Sequence, residues 1–208
     1  MDETRDRGGV DSSQSPTFAS HYYVAGRPPF LNLSDLSEED LASVLSQLND
    51  ERATGRSHRS FGKRYMELRR RTEAKLRGLF LARGGVIERP NPHYFVLGEC
   101  RWFAALSSDM RAVHIDLVDL PRESTSITYP DSFVAMRCGI DFGLPDLDRP
   151  YLEQAFFLDE LHELVESFGL PDDRPDENYA GYELRDFEKF IEIQVWSDDP
   201  VLEFIATN

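Results

Sequence analysis

Leu41, Val44, Leu45 and Leu48 recur at the spacing of one helical face, directly after a stretch in which Ser37 can cap and Asp40 sits three residues on. The pattern predicts a helix that starts near Ser37 and ends in the polar turn from Asn49 to Gly55. A second stripe of Phe61, Tyr65, Leu68, Leu76, Leu79 and Phe80 predicts a longer helix over 60–83, stopped by Gly84 and Gly85.

Beyond Gly85 the period shortens. Val86 to Arg89 and His93 to Leu97 read as strands around Pro90-Asn91-Pro92. Glu99 to Leu106 can make one helical turn. Val113, Ile115 and Leu117 alternate with His114 and Asp116, the signature of a half-buried strand. Ser126 to Tyr129 and Phe133 to Arg137 read as two further strands, and Leu152 to Leu158 as a strand or an early helical turn. Asp159 then precedes a helix carrying Leu161, Leu164, Val165 and Phe168, ended by Gly169. Phe187 to Trp196 reads as a central strand and Val201 to Ile205 as a closing element.

Strands without regular strand–helix alternation predict an α+β fold: an N-terminal helical pair on a mostly antiparallel sheet, with a further C-terminal helix and strand. Met1 to Ser20 is polar and poor in aliphatics and reads as disordered, and His21 to Val24 reads as a short strand or a clinging arm. The expected organisation is therefore a disordered or extended arm over 1–30 and one globular domain over 31–208.

Charge adds a polarity that the periodicity does not show. The net charge of −15 is distributed unevenly along the chain. Residues 51–89 hold twelve Lys/Arg against four Asp/Glu, whereas residues 139–208 hold four against nineteen. The acidic excess opposes unspecific binding to nucleic acid or anionic membranes and favours a basic protein partner. No apolar run is long enough to span a membrane, and the first twenty residues lack the apolar stretch of a secretory leader, so a cytoplasmic location is expected. In that compartment Cys100 and Cys138 are expected to be reduced, buried thiols.

Phosphate loops, dinucleotide fingerprints, nucleophile elbows, H-E-x-x-H and CxxC pairs are all missing from the chain. No cofactor is expected. His162 and Glu166 share a helix face, but no third metal ligand accompanies them.

Three readings follow. The first is a non-enzymatic binding or regulatory module. The second is a small enzyme, with His114 and Asp116 as a proton-sharing pair and Ser132 as a hydroxyl nucleophile. Its pocket would be lined by the 93–103 aromatics including Trp102, with Tyr129 and Asp131 beside them. The third is a nucleic-acid accessory protein that lays the basic helix 60–83, with Arg69, Arg70 and Arg71, against phosphates.

Overall fold

The computed structural model describes residues 15–59, 61–142, 146, 148–173 and 189–207. It is an α+β fold built on a six-stranded sheet. The strands are β1 (Phe18–Val24), β2 (His93–Leu97), β3 (Met110–Asp116), β4 (Thr125–Thr128), β5 (Phe156–Phe157) and β6 (Glu192–Val195). Their order across the sheet is β3-β1-β2-β6-β4-β5, and every neighbouring pair is antiparallel.

The helices are α1 (Glu38–Ala53), α2 (Tyr65–Ala82), α3 (Arg101–Ala104), α4 (Ser132–Ala135), α5 (Leu161–Phe168) and α6 (Asp199–Thr207). Ser37 caps α1 by accepting the Asp40 N–H at 3.1 Å, and Glu38, Glu39 and Asp40 occupy its first turn, where the helix dipole favours negative charge. The end of α2 is a Schellman closure. Gly84 adopts φ +93°, its N–H reaches Leu81 O, and the Gly85 N–H reaches Phe80 O. Gly85 has a second constraint, because a Cβ there would lie 2.5 Å from the buried Phe80 ring.

The odd-numbered residues of β1, β2, β3, β4 and β6, among them Ala19, Phe95, Ile115, Ile127 and Ile193, face a core shared with α5, α6 and Phe30. The opposite face carries Tyr94, Glu192, Gln194 and Trp196. On that side Trp196 packs with Leu76 and Phe80 of α2 and with Ala135 and Met136. Among the described residues no helix is long and apolar enough to cross a membrane.

Several expectations change. Residues 18–24 form a strand between β2 and β3, which selects the strand reading of His21 to Val24 and carries order back into the stretch read as disordered. Residues 1–14 lie outside the described residues. Phe133 to Arg137 is not a strand: Asp131 accepts the N–H groups of Phe133 and Val134 at 2.9 and 3.2 Å and starts α4 instead. Val86 to Arg89 forms no strand, although the N–H groups of Glu88 and Arg89 both bond to Trp196 O. The basic helix begins at Tyr65 instead of residue 60, and the closing element is helical.

Candidate functional site

The inward stripe of α2 is mixed. Leu68, Leu76 and Phe80 are apolar, but Arg69, Thr72 and Glu73 share the same face. A buried polar stripe needs polar partners opposite, and the strand register supplies them. Tyr94 pairs with Gln194, Gln194 with Ser126, and Glu192 with Thr128, so all five side chains lie on the face beneath α2.

The result is a continuous hydrogen-bonded strip. Trp196 Nε1 donates to Ser126 Oγ at 2.9 Å, and Ser126 donates to Gln194 Oε1 at 2.9 Å. The Gln194 amide nitrogen donates to Thr128 Oγ1 at 2.9 Å and to Glu192 Oε2 at 3.2 Å. Glu192 Oε2 also takes the Ser132 backbone N–H at 3.0 Å.

Arg69 organises a second polar group on the same face. Its guanidinium lies 4.6 Å from the Tyr94 ring centroid and pairs with Glu73 at 3.1 Å. It also donates to Tyr65 Oη at 3.1 Å, Asn32 Oδ1 at 3.0 Å and Ser34 Oγ at 3.2 Å. Tyr94 Oη donates to Glu73 Oε1 at 3.0 Å. Burial disfavours the Arg69 charge, but the Tyr65, Tyr94 and Glu73 groups outweigh it and hold the guanidinium firmly protonated.

Two carboxyls behave differently. Burial, reinforced by the Glu192 charge, pushes Asp131 up to about 7. Burial also raises Glu192, against the hydrogen bonds from Ser132 and Gln194. Two neighbouring carboxyls that share a low-dielectric site resist joint ionisation.

A stability prediction follows. The unfolded chain releases the Asp131 proton near pH 4, and the folded chain does so near pH 7. Asp131 therefore costs the fold nothing below pH 4, increasingly more between pH 4 and 7, and its full penalty above pH 7. A rise of this size corresponds to at most ~4 kcal/mol, and half-burial of the residue halves that expectation. Asp131→Asn keeps an acceptor for the α4 cap, so the variant should be about 2 kcal/mol more stable than the parent at pH 8. The gap should close by about pH 4. His21 opposes this trend in both proteins: burial lowers it to about 4, so its contribution is lost on acidification. Urea titrations of variant and parent at each pH isolate Asp131. A constant difference across the range would remove the carboxyl from this role.

The structure thus unites three of the residues selected by sequence, Arg69, Asp131 and Ser132, on one face of the sheet. It separates the others. His114 and Asp116 lie on β3, with β1, β2 and β6 between them and β4. At ~4.8 Å per strand that is roughly 19 Å, too far for the pair to act with Asp131 on one bond. His114 Nδ1 bonds instead to Ser20 Oγ at 2.8 Å. Tyr129 belongs to the core on the other face and donates to Phe168 O at 3.0 Å. Trp102 stacks on Phe190 with centroids 5.9 Å apart. Cys100 and Cys138 are buried thiols, and Cys138 Sγ lies 2.8 Å from Thr72 Oγ1.

Arg70 and Arg71 point away from the sheet, and both are paired. Arg70 meets Glu38 at 2.8 Å, and Arg71 meets Asp141. Arg64 contacts Glu67 at 3.2 Å and Asp141 at 3.5 Å, Lys75 meets Glu153, and Arg83 meets Glu160 at 2.9 Å. The basic helix is therefore largely neutralised within the chain, mostly by residues of its acidic half.

Sequence reasoning missed Glu73, Glu192 and Gln194 as members of the strip. A signal was present: Glu192 and Gln194 alternate with Ile191, Ile193 and Val195 in a strand read as central. Polar residues on one face of a central strand require a polar layer above them. Compared with known proteins, the chain matches no family model, and no curated protein or solved structure is significantly similar to it.

Proposed function

We propose that this chain is a cytoplasmic, non-enzymatic binding module for a basic protein partner. The observation that carries this reading is the asymmetry of its charge pairing. Four of the five cations of α2 are matched by acids of the same chain and the fifth, Arg77, bonds to Pro90 O, whereas Glu39, Asp50, Asp116, Asp119, Asp159, Glu163 and Asp199 have no side-chain partner among the described residues. These seven acids remain available on a chain whose net charge is −15. Complementary potentials of this kind raise association rates and select partners by charge.

The nucleic-acid reading needs the opposite arrangement, unpaired arginines along one face. Titration of labelled single- and double-stranded oligonucleotides separates the two. No micromolar binding is expected at physiological salt, and capture from a host lysate should enrich a basic protein that elutes as salt is raised. Oligonucleotide binding that persists at physiological salt and disappears in a combined Arg70→Ala, Arg71→Ala, Lys75→Ala variant would refute the reading.

A second reading, an enzyme, draws on the raised Asp131 beside Glu192 and Ser132, since perturbed carboxyls concentrate at catalytic sites. The same groups also have a structural role as the cap of α4 and as its tether to β6.

A further inference from the structure

One margin of the sheet is the two-residue β5, and the other is the seven-residue β3. The pairing with β1 fixes which β3 groups face outward. The Ala25 N–H donates to Asp109 O at 2.9 Å and the Leu117 N–H to Thr17 O at 2.8 Å, in the same register as Ala19 with Ile115. Odd-numbered residues of β3 therefore exchange hydrogen bonds with β1. The N–H and C=O groups of Ala112, His114 and Asp116 point the other way. All three residues are exposed; their three N–H groups and the C=O groups of Ala112 and His114 have no partner among the described residues, while the Asp116 C=O opens the 3-10 turn Leu117–Asp119. Met110 closes the near end, with its N–H on Ser107 O and its C=O receiving Arg111 Nη1.

Long edges of this type are commonly blunted by lysine, proline or a bulge. Met110–Asp116 contains neither lysine nor proline, its charged residues Arg111 and Asp116 sit near its two ends, and its register with β1 is unbroken. The open stretch leads into a shallow groove of about 200 Å³ lined by Leu117, Val118, Arg122, Leu158 and Asp159. Val118 is 89% exposed there. Asp116, Asp119 and Asp159, which have no side-chain partner among the described residues, flank the same end.

We propose that the open edge of β3 is a strand-addition site for an extended segment of a basic partner protein, in which Lys or Arg alternates with apolar residues. The proposal rests on the binding-module reading and gives that partner a place to dock. An added strand would bond to Ala112, His114 and Asp116. Its basic side chains would lie on the face of His114 and Asp116, and its apolar ones would extend the face of Val113 and Ile115. A second copy of the chain fits less well, because each copy carries −15 and would set acidic ends together.

The test uses the full chain and three synthetic peptides of one length: alternating Lys and Val, alternating Glu and Val, and the Lys–Val peptide N-methylated at alternate residues. Affinity and site-resolved amide exchange are the readouts. The Lys–Val peptide should bind and slow exchange at Ala112, His114 and Asp116, and the Glu–Val peptide should not. Ala112→Pro removes an N–H that faces away from β1, a position where an edge strand tolerates proline. Losing one or two hydrogen bonds of ~1 kcal/mol each, that variant or the N-methylated peptide should weaken binding about tenfold. If Ala112→Pro disturbs the fold, the N-methylated peptide alone decides.

Lys–Val binding that is indifferent to both changes would overturn the edge as the site while leaving the binding module standing. A failure of the Lys–Val peptide to bind at millimolar concentration would overturn it as well. A dimer in sedimentation, with the three amides already protected in the free chain, would reassign the edge to a second copy. Failure of the binding-module reading shows separately, as a lysate capture without any basic protein.

Discussion

Arg69→Ala should lower the unfolding free energy by about 3–5 kcal/mol, the cost of stranding a buried charge without its partner. Glu73 is only 2% exposed, and its Oε2 has no hydrogen-bond partner among the described residues even in the parent. Its other oxygen depends on Arg69 at 3.1 Å and on Tyr94 Oη at 3.0 Å. Removing the guanidinium leaves that carboxyl to the tyrosine alone. It also deprives Asn32 and Ser34 of a donor that ties the 3-10 turn at Leu33–Asp35 to α2. A double variant, Arg69→Met with Glu73→Leu, removes both charges and keeps most of the volume. It should recover much of the loss, since apolar replacement of a buried pair is often neutral or better. Chemical denaturation of parent, single and double variants gives the comparison. A single-variant loss below about 1 kcal/mol would place Arg69 among ordinary surface pairs.

The sequence made this residue visible without making its role visible. Arg69 stood out as one of three consecutive arginines, and nothing local distinguishes it from Arg70 and Arg71. The distinction comes from helix phase. Arg69 shares a face with Tyr65, Leu68 and Leu76, while Arg70 and Arg71 turn toward Glu38 and Asp141. Asp131 and Ser132 were selected for separate reasons. Their meeting with the α2 strip depends on β4 pairing with β6 and β6 with β2, contacts between residues far apart in sequence.

Locally encoded elements were legible: the capped α1, the double-glycine stop of α2, and the alternation in β3. Two elements that depend on distant partners were read only in part or wrongly. Phe18–Val24 follows a polar stretch and looks like part of an arm, yet β2 and β3 give it a neighbour on each side. Phe133 to Arg137 has the apolar and β-branched content of a strand, but the Asp131 cap outweighs that weak preference. The acidic–basic segregation was legible in full, because net charge per segment needs no structure to count.

The apolar stripe of α2 supports a second large effect. Leu68 is fully buried, and it neighbours Arg69 on a helix whose remaining inward positions are Thr72, Glu73, Leu76 and Phe80. Leu68→Ala removes buried apolar volume at a site whose polar neighbours are held by fixed hydrogen bonds and cannot close over the space. A cost of about 2–5 kcal/mol is expected, toward the upper half if the cavity stays open. Arg70 is the control. Its side chain is 46% exposed and pairs with a Glu38 side chain that is 81% exposed, so Arg70→Ala should cost less than about 1 kcal/mol. Salt discriminates between them further. Added salt should reduce the small Arg70 effect and leave the Leu68 effect in place, because screening acts on the exposed pair and not on packing. Urea titrations of both variants at low and physiological ionic strength provide the measurement. Equal losses at Leu68 and Arg70 would mean that the helix presents a different face to the sheet, and with it that Arg69 and Glu73 do not lie beneath α2.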